Sequence, residues 1–190
     1  RLSLVGSEMC IRDRNNTATA TKTTWNLDAT HSEITFKVRH MMIASVTGKF
    51  EQFEATAETE DENLANAEFS FSAKTASVNT NATDRDNHLR SADFFDSENF
   101  PNLTFVSTHV SENAVTGHLT IKDVTKEITL KLENGGTGKD PWGNTRIGFT
   151  LNGKINRKDF GLIWNAALET GGVLVSEEVT LNCEIQFVKA

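Results

Sequence analysis

Cysteine is nearly absent from this chain. Cys10 and Cys183 are the only two in 190 residues, which excludes a disulfide framework as the source of stability. Cys183 falls in phase with Leu181 and Ile185 of an alternating run. That is the setting of a small buried hydrophobe, and no basic neighbour is present to activate the thiol. Basic clusters are missing as well. The net charge is −7 and no Lys/Arg run accumulates, so the electrostatic footprint for nucleic acid or an anionic membrane is not there. No apolar run approaches the roughly 20 residues that a spanning helix needs.

Signatures of chemistry are equally scarce. There is no Gly-x-Ser-x-Gly elbow and no glycine loop opening a helix to cradle phosphate. The five histidines, His31, His40, His88, His109 and His118, show neither HxH nor HExxH spacing. Asp84-x-Asp86-x-His88 echoes a calcium loop without its glycine at the sixth position or its glutamate at the twelfth. The expectation is no metal, no resident cofactor and no catalytic residue. The alternative is a hydrolase or isomerase that works on an apolar substrate through histidines gathered by folding.

What the chain does have is alternation. Ile34, Phe36, Val38 and His40 are spaced by polar residues, and so are Val46, Gly48 and Phe50. The pattern resumes one residue out of phase at Phe53, Ala55 and Ala57, a slip at Glu51-Gln52 that predicts a β-bulge. Ala67 to Ala73, Leu103-x-Phe105, Val115 to Ile121, Ile128 to Leu132, Ile147 to Ile155 and Val179 to Phe187 continue it. These predict eight amphipathic strands, hence an all-β protein: an antiparallel barrel, with a sandwich as the other solution. A length of 190 residues suits one such domain. The glycine run Gly135-Gly136-Thr137-Gly138-Lys139 reads as a flexible hairpin between strands. Residues 1–14 match no pattern downstream and resemble translated adapter sequence, so they are set aside as non-native. Residues 15–24 are polar and read as a loose terminus, leaving 25–190 as the domain.

One stretch cannot be a strand. Asp84-Arg85-Asp86-Asn87-His88-Leu89-Arg90 leads into Asp93-Phe94-Phe95-Asp96. A short helix is expected over 83–92, with Thr83 as its cap and the two aspartates favouring its amino-terminal dipole. The charges admit two roles. They form an ion-pair knot in which Arg85 meets a carboxylate, or Arg85, His88 and Arg90 make a polar gate that holds a headgroup. The inward phase holds Phe36, Val38, His40, Phe50, Phe53, Phe69, Phe71, Phe105, Phe149 and Leu151. An eight-stranded interior either packs such rings together or holds one small guest, and a lining this rich in Phe, broken by Gly and Ala, suits a long apolar molecule.

Several blocks, in order, resemble the YceI-like family. They are Trp25-Asn-Leu-Asp28-Ala-Thr-His31-Ser32, His40, Val46-Thr-Gly48-Lys-Phe50, Arg85-Asp86-x-His88-Leu89-Arg90 and Asp93-Phe94-Phe95-Asp96. Phe100-Pro101-x-Leu-Thr-Phe105, Gly117-His-Leu119-Thr120-Ile121, Val124-Thr125-Lys126 and Asn156-Arg157-Lys-Asp159-Phe160-Gly161 follow. The resemblance covers Trp25 to about Lys189. It implies an eight-stranded lipocalin-like barrel whose apolar channel binds an isoprenoid-type lipid, such as a quinone or a prenyl phosphate, and it implies no catalytic residue. Related proteins are often homodimers. Some are exported to the periplasm and others carry no signal peptide. This chain looks like the latter, so a cytoplasmic location is expected, with the periplasm as the alternative if the true start is missing.

Overall fold

The alternating residues pair as their period demands. The computed structural model describes residues 22–60, 67–168 and 172–190, so the 1–14 segment and residues 15–21 lie outside it. The strands are β1 (Thr23–Leu27), β2 (Glu33–His40), β3 (Ala44–Phe50), β4 (Phe53–Thr59), β5 (Glu68–Lys74) and β6 (Val78–Asn79). They continue as β7 (Asn102–Val110), β8 (Ala114–Ile121), β9 (Val124–Lys139), β10 (Thr145–Asn156) and β11 (Val175–Lys189), with one α-helix, α1 (Thr83–Arg90). Thr23 and Thr24 therefore belong to a strand, inside the stretch read as a loose terminus.

Hydrogen bonds run in the order β1-β4-β5-β7-β8-β9-β10-β11, and β11 pairs back onto β1. The sheet is closed, which decides for a barrel over a sandwich. Every pairing is antiparallel. β1 and β2 form one bent strand broken by a 3-10 turn at Ala29–His31, and β3 and β4 form another, broken at Glu51-Gln52. Counted this way the barrel has eight strands in a simple meander. The phase slip marks the second bend.

The two ends are built differently. At one, the floor, Trp25 is buried and its indole Nε1 donates to the equally buried Thr59 hydroxyl at 2.9 Å. At the other, the rim, β3 is joined on one side only by the short β6, through Lys49–Asn79 and Phe50–Val78. Residues 75–101 take over the wall there. Phe95 packs edge-on against Phe50, with centroids 5.7 Å apart.

Three local expectations change. The helix ends at Arg90 instead of 92, and its amino-terminal flank is Ala82, with no side-chain cap. Asp86 does that tethering from inside the helix, accepting from the Thr80 amide (2.8 Å) and hydroxyl (2.6 Å). The glycine run 135–139 lies within β9, where its pairing with β10 slips at Gly148/Phe149, and is not the hairpin tip. The turn falls at Asp140–Asn144, where the Asp140 carboxylate accepts the amides of Trp142 and Asn144 and Gly143 takes φ 89°.

Two strand glycines make room for rings. A Cβ on Gly48 would sit 2.4 Å from Phe36 Cζ, and one on Gly117 would sit 2.5 Å from Phe105 Cζ. At Gly117 the Val106 carbonyl oxygen, 2.4 Å from such a Cβ, is as close as the ring. A larger residue at Gly48 would have to displace the Phe36 ring, and one at Gly117 would clash with backbone as well.

Candidate functional site

The inward phases of the strands leave a cavity of about 180 Å³ inside the barrel. β11 contributes Val179, Leu181, Cys183, Ile185 and Phe187 in strict alternation. At about 3.3 Å per residue these five span roughly 26 Å of strand, so the space is long and narrow. Phe69 and Phe149 meet edge-on at 5.8 Å, and Phe69 stacks on Phe187 at 6.3 Å. Nine phenylalanines line it in all, and the polar lining residues are Thr35, Ser70, Cys183 and Arg157. Thr35 gives its hydroxyl to the Asn182 carbonyl at 2.9 Å. Burial pushes the Cys183 thiol up to about 12, although its surface is not fully covered. The two agree because the side chain faces the cavity and not bulk water. That thiol is inert.

Of the ten lining candidates, Phe36, Val38, Phe50, Phe69, Phe71, Phe105, Phe149 and Leu151 stand on the cavity wall. His40 and Phe53 do not. His40 is the last residue of β2, paired with Val175 and Ala44 beyond the last wall residue, Val38. Phe53 opens β4 just past the bend and packs on the Phe71 ring, with centroids 6.3 Å apart. Sequence reasoning missed Phe94, Phe95, Phe187, Leu162 and Arg157, which also line the cavity. Phe187 was legible as the last member of an alternating run. The others sit on irregular backbone, where no period points inward.

The three gate candidates part ways. Arg85 does not meet a carboxylate: its Nε donates to the Thr80 hydroxyl (2.7 Å) and its Nη2 to the Thr80 carbonyl (2.8 Å). Since that hydroxyl in turn donates to Asp86, Thr80 relays between the opposite charges. Arg90 donates to the carbonyls of Ala76 (2.7 Å) and Val78 (2.9 Å). Both arginines therefore hold the backbone of residues 76–80. His88 turns the other way. Its Nε2 lies 3.0 Å from Asp93, and its ring is edge-on to Trp164 (4.6 Å) and Phe94 (5.1 Å). This contact ties α1 to the loop after β10, across the end of the cavity where Leu89 and Phe94 form the wall.

Arg157 anchors that loop. Asn156 caps the 3-10 turn Arg157–Phe160, and Gly161 ends it at φ 74°. The buried guanidinium donates to the carbonyls of Ser176 (2.9 Å), Trp164 (2.8 Å) and Leu162. Among the described residues no carboxylate forms a salt bridge with it; burial lowers its pKa, and the charge of Glu177 opposes that only in part. At the floor the pattern reverses. Arg146 bridges Asp28 and Asp140, whose side chains are 11% and 6% exposed. The Thr30 hydroxyl does most to hold Asp28 well below the usual carboxylate range, against burial and with help from His31 and Arg146. For Asp140 burial pulls upward, but Asn144 and Arg146 outweigh it and bring it down to about 2.

No histidine lines the cavity. His31 is bound to Asp28 at the floor, and His109 and His118 are exposed. Among the described residues no group of three or more His, Cys, Asp or Glu converges on one point. No helix among them is long and apolar enough to cross a membrane.

The sequence profile of the YceI-like domain matches residues 25–187. The chain belongs to this family. A UPF0312 protein of Staphylococcus epidermidis is 39% identical over 166 residues, covering 87% of this YceI-like chain and 97% of the relative. Among solved structures, BcnA of Burkholderia cenocepacia superposes with a TM-score of 0.72 at 22% identity, covering 84% of this chain and 98% of that one. A polyisoprenoid binding domain from Saccharophagus degradans gives 0.63 at 16% identity, over 87% and 98%. At such identities the two structures establish the shared YceI-like barrel and nothing finer.

Proposed function

We propose that this YceI-like barrel binds a long-chain isoprenoid-type lipid, a quinone or a prenyl phosphate, and carries or sequesters it without chemical turnover. The observation that carries this is the cavity wall: long, rich in phenylalanine and nearly free of accessible polar atoms. Such a wall favours an apolar tail at roughly 0.8 kcal/mol for each CH₂ withdrawn from water. The polyisoprenoid binding domain with the same barrel points the same way.

The head of the ligand remains at the rim. Arg157 reaches the wall, but its donors are turned onto backbone carbonyls. Arg85 and Arg90 are likewise engaged with Thr80, Ala76 and Val78. A headgroup emerging beside Phe94 and Leu89 meets His88 first. The histidines stand off this wall, which favours binding over histidine chemistry on an apolar substrate. The wall also offers little to stabilise a charged transition state.

Native mass spectrometry of the purified protein, followed by organic extraction, tests the proposal. A stoichiometric isoprenoid adduct that is released by solvent is the expected result. Protein that purifies empty and takes up neither added quinone nor added prenyl phosphate would sink it.

A further inference from the structure

Among the described residues, five of the seven exposed large apolar side chains gather at the rim, while Trp142 stands alone on the floor turn and Val106 on β7. Met41, Met42, Ile43, Ile163 and Val173 are 38%, 64%, 80%, 70% and 40% exposed. Main-chain hydrogen bonds make them one patch. The Met41 amide donates to the Leu174 carbonyl (2.8 Å), and the Leu174 amide donates to Ala166 (3.0 Å). Next to them Ala167 bridges Val173. The patch adjoins the end of the cavity, since Leu162 and Val175 line the wall while Ile163 and Val173 face outward.

Two further facts set this surface apart. Residues 41–46 and 160–168 contain no Asp, Glu, Lys, Arg or His, in a chain that is 24% charged. Met41 and Met42 also form the middle of a tight turn with φ of 52° and 61°, closed by the Ile43 amide on the His40 carbonyl. Asn and Gly are the residues that suit such a turn. Two methionines are instead held there in a backbone conformation that disfavours them, with both side chains accessible.

We propose that this rim patch docks the protein on a lipid bilayer by shallow apolar insertion, with the cavity end facing the membrane. The inference rests on the lipid-binding function proposed above, because a ligand that is itself a membrane lipid has to be taken from or returned to a bilayer. Two loop tips that project side by side suit a lipid interface, which receives separate side chains without a matching groove. A second protein copy would have to present a surface that fits both tips in shape. Contact through residues 41–46 and 160–168 desolvates no charged side chain. With no basic residue on the tips, docking depends on apolar burial and is insensitive to salt.

Flotation with phosphatidylcholine vesicles, run beside a binding titration with farnesol in solution, tests the inference. The wild-type chain should float with the vesicles equally at low and high salt. Met42→Asp with Ile43→Asp should lower the floating fraction roughly tenfold or more while farnesol affinity stays within about twofold, since neither side chain touches the cavity. Ile163→Ser, on the second loop, should give a smaller loss of the same kind. Wild-type protein that binds farnesol but does not float overturns the docking and leaves the lipid-binding function standing. Failure to bind farnesol counts against that function instead. A wild-type dimer by light scattering that does not float, and that the Met42/Ile43 substitutions split into monomers, would make the patch a contact between copies and also overturn the docking.

Discussion

The floor and the rim of this barrel both depend on arginine, and they use it in opposite ways. At the floor Arg146 sits between two carboxylates, Asp28 and Asp140, and ties the β9–β10 turn to the bend between β1 and β2. At the rim Arg85, Arg90 and Arg157 form no salt bridge among the described residues and direct most of their donors to backbone carbonyls. The difference follows from what each end has to satisfy. Regular strands close the floor, so its backbone is already paired and charge can meet charge. The rim is a helix and two loops whose carbonyls have no ladder to join, and a buried unpaired carbonyl is costly. A guanidinium, with five donors in a fixed fork, serves several at once.

Removing Arg157 should break the contrast most severely. Arg157→Met is expected to lower stability by roughly 3–5 kcal/mol, since each stranded buried acceptor costs about 1–3 kcal/mol. Urea denaturation measures it, and a loss below about 1 kcal/mol would show that the loop does not depend on the guanidinium. Arg146→Met comes next and is distinguished by pH. Asp28 and Asp140 titrate below the ordinary carboxylate range when folded. Their contribution is therefore present above about pH 4 and is lost as pH falls through the folded values. Thermal melts of Arg146→Met should lie below wild type near neutrality and converge with it toward about pH 2. Parallel curves would mean that the triad does not couple to protons.

Gly48→Val should cost about 1–3 kcal/mol by driving the Phe36 ring off its seat, and it should also weaken lipid uptake. The pair Phe71→Trp with Phe149→Trp should narrow the cavity for less than about 1.5 kcal/mol. An undiminished stoichiometry of extracted lipid in that variant would show that the tail lies elsewhere. Arg85→Ala should have the smallest effect, about 1 kcal/mol, because its side chain is exposed and solvent can replace it. Loss of lipid from this variant at unchanged melting temperature would make Arg85 a headgroup ligand after all.

The regular part of the molecule was legible because its information is local. A period of two places eight of the ten lining candidates on the cavity wall, and the slip at Glu51-Gln52 falls where β3 gives way to β4. The rest failed where the deciding partner is distant or irregular. Asp28 and Arg146 are 118 residues apart, and nothing in either neighbourhood announces the other. Arg85 was expected to meet a carboxylate because acids surround it in sequence, but Asp86 turns to Thr80. Glycine content drew the hairpin to 135–139, whereas Asp140 and Gly143 supply the hydrogen bonds and the positive φ of the turn. Phe94, Phe95 and Leu162 reach the wall from segments without a period, so no sequence pattern could have assigned them.

The meander has a consequence for assembly kinetics. Nearly every strand pairs with its neighbour in sequence, and the exception is the seam where β11 returns to β1 and β2, joining Lys189 to Trp25 and Leu181 to Phe36. Hairpins can form early and locally, while the seam carries the largest loop-closure entropy and forms last. Until it seals there is an open curved sheet with no enclosed wall, so a hydrophobic guest has nothing to grip in the folding transition state. Bound lipid should therefore leave the refolding rate unchanged and appear wholly as slower unfolding.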